Sequence, residues 1–219
     1  LSLDDLLLSE SISDKMKLIN ANPRIVFAAN TCNQEVNDKC EIITECFKSP
    51  LYGHEISTAA ELLEIEYAKI GTVYMQDTIV RSDLVRAVGG MDEDISGDDL
   101  ILRTKLFKHM LTRPEMEVAF LHKPGMAYRK HDTNLHQNIW NQIKTVVDWK
   151  NRYFPDRPLP KIAESWIELF VDRSIKQDDM PAIEKARKYD PLFEDFINSY
   201  LKTWKCRRRS AKNVLKRFF

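Results

Sequence analysis

The sequence predicts an α/β domain over residues 1–157 followed by a helical extension over residues 158–219. Three observations predict it. Short apolar runs of strand length alternate with helical patterns as far as Tyr153. Pro155, Pro158 and Pro160 then interrupt the chain in close succession. Beyond them, Ile162 to Phe219 reads as helix throughout, with breaks near Gln177–Pro181 and at Pro191. At 219 residues the chain is long enough for one sizeable domain and an appendage. Its 43% hydrophobic and 30% charged residues are the balance of a folded chain, which excludes disorder as the main state.

Taken in order, Leu1 to Leu8 packs apolar side chains around Asp4 and Asp5, as at the end of a buried strand that runs into an acidic turn. Ser9 to Asn20 predicts a helix with Ser9 as N-cap and Ile12, Met16 and Ile19 at near-helical spacing. Asn22-Pro23 stops it. Arg24 to Asn30 predicts a short buried strand, Thr31 to Lys39 a polar stretch, and Lys48 to Ser57 a loop. Thr58 to Lys69 predicts a helix rich in Ala, Leu and Glu. Gly71 to Val80 returns to strand-like residues. Ser82 to Val88 predicts a short helix ended by Gly89-Gly90. A helix to about Met110 carries Leu102, Leu106 and Met110 on one face. Glu117 to Leu121 predicts a strand, Met126 to His131 leads into a polar loop, and Gln137 to Tyr153 predicts a helix.

Net charge is zero overall but unevenly spread. Residues 201–219 hold eight basic side chains and no acid, which leaves residues 1–200 at minus eight. An acidic body with a basic tail implies a separate partner for the tail. Trp204, Val214, Leu215, Phe218 and Phe219 lie among those basic residues. Either the tail is a solvated helix packing a few apolar groups on the body, or it is an interfacial helix on anionic lipid. One short patch is a small footprint for nucleic acid, which is not expected as a partner. Cys32, Cys40, Cys46 and Cys206 fit no CxxC metal pattern and predict reduced thiols in a cytoplasmic protein. No run approaches a membrane span, and the start has no basic segment of the signal-peptide kind.

Two acidic segments carry candidate chemistry. Asp4 and Asp5 are either ordinary turn acids or ligands for a hard divalent ion, which takes oxygen donors and neutralises a diphosphate. In Gly89-Gly90-Met91-Asp92-Glu93-Asp94-Ile95-Ser96-Gly97-Asp98-Asp99-Leu100-Ile101-Leu102-Arg103, Ser96 is the predicted N-cap with Asp99 as its capping-box-like partner. Asp98 and Asp99 then fall in the first turn, where the helix dipole favours their charged forms. They serve either as caps or as a general base.

The order of acidic turn, helix, Asn22-Pro23 and apolar strand, followed by this block, resembles the family 2 glycosyltransferases, over roughly residues 1–155. The block is similar to that family's GGFDE…(E/D)D…LxxR pattern, and Asp4-Asp5 to its DxD-type motif. Ser2 stands where the family commonly has a further aspartate, which leaves the number of carboxylates on the metal open. The resemblance implies a GT-A mixed sheet with flanking helices. It implies transfer of a sugar, with inversion, from a nucleotide diphosphate donor, a UDP-sugar first, to a glycan or lipid-linked acceptor in surface polysaccharide synthesis. Asp98, or else Asp99, is then the base. Asp4, Asp5 and His131 hold Mn²⁺ or Mg²⁺. Arg129 and Lys130, in a segment Tyr128–Asn134 similar to the family's YRxHxxN, meet the donor phosphates. Gly89, Gly90 and Asp77 border the acceptor.

His54, His109, His122 and His136 are expected to be structural or superficial. The resemblance also implies a nucleoside-binding front half ahead of Leu1, so the chain alone is expected to be weakly active or inactive. The expected location is cytoplasmic, with residues 201–219 on the inner face of a bacterial plasma membrane. Two rivals stand beside this reading: an inactive glycosyltransferase-like remnant that binds a glycan or partner, and a helical membrane adaptor working through residues 160–219.

Overall fold

A computed structural model describes residues 5–55, 58–130, 139–203 and Cys206, with every side chain in those ranges except that of Asp98. Asp4, His131 and most of the basic tail lie outside the described residues. The fold is α/β, with an open mixed sheet of five strands and eight α-helices among the described residues. The strands are β1 (Leu6–Leu7), β2 (Ile25–Val36), β3 (Ile42–Lys48), β4 (Thr78–Val80) and β5 (Glu117–Arg129). The helices are α1 (Ser11–Ala21), α2 (Ala59–Lys69), α3 (Ser82–Ala87), α4 (Asp98–Met110), α5 (Ile139–Tyr153), α6 (Lys161–Gln177), α7 (Met180–Arg187) and α8 (Pro191–Lys202).

The chain divides into two compact units, Leu1–Gln137 and Asn138–Phe219. The first holds the sheet, ordered β1-β5-β2-β3. β2 and β5 run parallel, while β1 is antiparallel to β5, and β3 and β4 are antiparallel to β2. β2 is therefore the central strand, and eleven of its twelve residues are buried. It runs six residues past Asn30, the end expected from the sequence. Thr31, Asn33 and Glu35 are polar yet buried, which is why the stretch reads as a loop. β5 likewise continues through Pro124-Gly125, where the sequence suggests a break. Register shifts occur there, and side chains supply bonds that the ladder lacks. Asn30 Nδ2 donates to the Lys123 carbonyl at 2.9 Å, and Met126 N donates to Asn33 Oδ1 at 3.3 Å.

Phe27 and Asn30 are three residues apart in an extended strand and so project from opposite faces. On one face Phe27 meets Phe107 of α4 edge-on at 5.3 Å. On the other, Asn30 accepts from Lys15 of α1 at 2.5 Å. The sheet is thus covered by α4 on one side and α1 on the other, and α2 packs on α4. α2 begins as its sequence predicts, with Thr58 and Glu61 closing a reciprocal capping box. α1 departs from expectation. Its N-cap is Glu10 rather than Ser9, Ile12 and Met16 are exposed, and its buried residues are Ser11 and Lys15.

The α2–α4 contact contains a buried ion pair. Arg103 Nη2 lies 2.9 Å from Glu66 Oε1, with side chains 4% and 0% exposed. Arg103 Nη1 donates to the Val73 carbonyl at 2.8 Å, and Glu66 also accepts from the Gly71 and Thr72 backbone and the Thr72 hydroxyl. Burial works to raise the Glu66 carboxyl, but Arg103, Thr72 and Gly71 outweigh it and hold the group below its ordinary value.

The second unit has its own core, formed by Ile143, Val147, Ile167, Val171, Ile183, Phe193 and Ile197 among others. Trp140 packs at its edge against Phe170, Tyr189 and Phe193. α5 therefore groups with the helices after the proline cluster, so the division falls ahead of α5 rather than at residue 157. The predicted helix breaks occur where Asp178 turns left-handed, Asp179 caps α7 and Asp190 caps α8. Among the described residues no helix is long and apolar enough to cross a membrane.

Glu66→Gln leaves the Arg103 guanidinium buried without its charge partner, and is expected to cost about 3–5 kcal/mol. The Glu66 contribution is complete above its ordinary value of 4.5 and is lost as pH falls below it, because the unfolded chain takes the proton first. Urea midpoints measured through that acid range should therefore fall less steeply in the variant than in the parent.

Candidate functional site

Two of the segments singled out by the sequence meet where β2 and β5 end. The antiparallel register of β1 on β5 pairs Leu6 with Ala127, which carries Asp5 to the level of Tyr128 and Arg129. Arg129 N donates to Asp5 Oδ1 at 3.2 Å, and the Asp5 carboxyl is buried. On the other side of β5, Glu35 pairs with Tyr128 and Val36 with Arg129. The acidic turn and the Tyr128–Lys130 segment are therefore neighbours, although about 120 residues of chain separate them.

Tyr128 also lies against Tyr74, ring centroids 5.7 Å apart. Burial, aided by the fields of Tyr128, Glu35 and Asp5, pushes the Tyr74 phenol up to about 12. Tyr74 therefore stays neutral beside the carboxylates. Through its neighbour Val73 it adjoins Arg103, one helical turn beyond Asp99 on α4.

Lys130 is held in both backbone and side chain. Its N–H donates to Val36 O at 2.8 Å, and Nζ lies 2.6 Å from Glu35 Oε1 and 5.8 Å from the centre of the Phe47 ring. Thr44 donates to the other Glu35 oxygen at 2.8 Å. Arg129 Nη2 reaches the Cys40 sulfur at 3.2 Å, and Cys40 has a left-handed backbone (φ 62°) in the turn between β2 and β3. Glu35 is not among the residues picked from sequence. It lies in the run that reads as a polar loop, and nothing in its local pattern marks it.

The residues expected to border the acceptor have these settings. Asp77 is 1% exposed and bonded to Lys15 Nζ at 2.5 Å and Ser11 Oγ at 2.6 Å. Lys15 also bonds Ser11 Oγ and Asn30 Oδ1, each at 2.5 Å. Burial moves both partners toward neutrality, raising Asp77 and lowering Lys15, against the attraction each exerts on the other. Asp77 therefore ties α1 to the turn ahead of β4. Gly89 and Gly90 both adopt positive φ, 72° and 68°, and end α3 as expected of glycines.

The start of α4 corrects the sequence reading. Its N-cap is Gly97 at φ 95°, not Ser96. Glycine alone takes that backbone without steric cost, so it sets the helix start ahead of serine. Asp98 opens the helix and Asp99 follows, half-buried. Lys105 ties the preceding loop to the helix through Asp92 at 2.8 Å.

Among the described residues, no three His, Cys, Asp or Glu side chains stand close enough to hold a metal ion. Asp5 alone of the three predicted ligands is described, and its carboxylate is the oxygen donor a hard divalent ion takes. A scan against protein-family models finds none that matches this chain. A search of curated proteins finds no match either.

Gly125 bounds the Lys15–Asp77 cluster. A Cβ there would stand 2.0 Å from Asp77 Oδ2 and 2.5 Å from Asn30 Oδ1. Gly125→Ala is expected to lower stability by about 1–3 kcal/mol, read as a drop in the urea midpoint. An unchanged midpoint would mean that Asp77 and Asn30 give way freely.

Proposed function

We propose that this chain is a metal-dependent inverting glycosyltransferase of the GT-A type. It would take a sugar from a nucleoside diphosphate donor and pass it to a glycan or lipid-linked hydroxyl. The observation that carries the reading is the bond from Arg129 N to Asp5. It brings side by side two segments that the sequence marks separately, an acidic turn suited to a divalent cation and a basic segment suited to phosphate, and that supports the reading.

A carboxylate in the first turn of α4, Asp98 or Asp99, takes the proton from the acceptor hydroxyl. The hydroxyl oxygen attacks the anomeric carbon as the diphosphate leaves from the opposite side, so configuration inverts. Lys130 and Arg129 bind the phosphate oxygens. Asp5, with Asp4 and His131, would hold Mn²⁺ or Mg²⁺, which when bound neutralises charge on the diphosphate. Tyr74, neutral over the working pH range, lines the carboxylate end of the site.

Thermal unfolding with Mn²⁺ alone, with Mn²⁺ and UDP, and with Mn²⁺ and GDP tests the site. A ligand at a hundred times its Kd adds about 2.7 kcal/mol, a shift of several degrees at most. A nucleotide-dependent rise that Asp5→Asn abolishes is expected. In a sugar-transfer assay, Asp98→Asn or Asp99→Asn should slow the reaction by about 10²–10⁴-fold with that rise retained. Absence of any nucleoside diphosphate effect would sink the proposal.

A further inference from the structure

The Glu35–Lys130 contact has a geometry that ordinary surface ion pairs lack. Glu35 sits on the central strand, its side chain 7% exposed, with one oxygen fixed by Thr44 at 2.8 Å. That leaves the other oxygen aimed at Lys130, 2.6 Å away. Lys130 in turn is 46% exposed, so its ammonium touches Glu35 on one side and solvent on another. The Phe47 ring stands 5.8 Å from it and limits its swing. A lysine is normally a loose point charge on a long stem, and ordering it on binding costs rotamer entropy. Here the ordering is already done in the free protein, in the next residue to the one whose N–H binds Asp5.

We infer that Glu35 is a positioning residue that holds the Lys130 ammonium where a diphosphate is received. The inference rests on the glycosyltransferase reading above. The sign of the effect separates it from simple electrostatics. A carboxylate beside an anion site repels the anion, so charge alone predicts tighter binding when Glu35 is neutralised. Positioning predicts weaker binding, because Lys130 must then be ordered by the ligand itself. Shortening Glu35 by one methylene keeps the charge and withdraws the contact, so Glu35→Asp should also weaken binding.

Calorimetric titration of the chain with magnesium pyrophosphate tests this without calling on a nucleoside pocket. Glu35→Gln, Glu35→Asp, Lys130→Met, the Glu35→Gln/Lys130→Met double variant and Asp5→Asn would be compared, each first checked for a cooperative unfolding transition. Lys130→Met should weaken binding about tenfold, the loss of one charge-assisted bond. Glu35→Gln and Glu35→Asp should each weaken it about threefold or more, and the double variant should be no worse than Lys130→Met alone. Should Glu35→Gln fail to fold, Glu35→Asp carries the same decision. Unchanged or tighter binding in the Glu35 variants, with Lys130→Met weakened, would overturn the inference and leave the glycosyltransferase reading intact. So would binding that Asp5→Asn abolishes but Lys130→Met does not alter. No binding by the parent chain would overturn both.

Discussion

β2 is hydrogen-bonded along both edges, to β5 over its whole length on one side and to β4 and then β3 on the other. A strand so placed has no water to satisfy its polar side chains, yet this one carries Asn30, Thr31, Asn33 and Glu35. Each finds a defined partner. Asn30 takes Lys15 and the Lys123 carbonyl, Thr31 meets His122, Asn33 takes Met126 N, and Glu35 takes Thr44 and Lys130. Three of those partners, His122, Lys123 and Met126, lie around Pro124, where the β2–β5 register shifts. The polar face of β2 thus replaces regular ladder bonds with side-chain bonds, and in doing so fixes how β5 leaves the sheet toward Tyr128, Arg129 and Lys130.

The two buried ion pairs serve different connections. Glu66–Arg103 joins α2 to α4 and, through the Val73 carbonyl, anchors the segment that leads to Tyr74. Lys15–Asp77 joins α1 to the turn ahead of β4, with Asn30 and Gly125 pressed against it. Neither pair is expected to add much stability over an apolar packing of like volume, because desolvating two charges offsets most of their attraction. What they supply is register: each cation reaches its partner only if the two elements meet at one place along their lengths. Among the described residues, the core of the second unit is built of aliphatic and aromatic side chains together with Cys206.

The parts of the fold legible in the sequence are those governed by local rules. The helix over residues 58–69, the Gly89-Gly90 stop and the breaks near Gln177–Pro181 and at Pro191 depend on neighbours a few residues away, where Thr58, Asp179 and Asp190 prove to be caps. The misreadings arise where a distant partner reverses a local preference. Ile12 and Met16 look like the inner face of α1, but Asp77 draws Ser11 and Lys15 inward and leaves them exposed. Residues 31–36 look like a loop because the groups that satisfy their polarity lie about 90 residues ahead in the chain. The candidate site follows the same rule. Asp5 and Lys130 are visible as motif members, whereas Glu35 becomes visible only once β2 and β5 are paired.

The enclosed lysine has a consequence for how this sequence can drift. Replacing Lys15 alone strands a buried carboxylate, and replacing Asp77 alone strands a buried ammonium. Both intermediates are worse than either end point, the existing pair or a fully apolar core. An apolar version of this core is therefore separated from the present one by a valley that single substitutions cannot cross without loss. Among descendants of this chain, positions 15 and 77 should consequently change together or not at all, with Asn30 and Gly125 constrained alongside them.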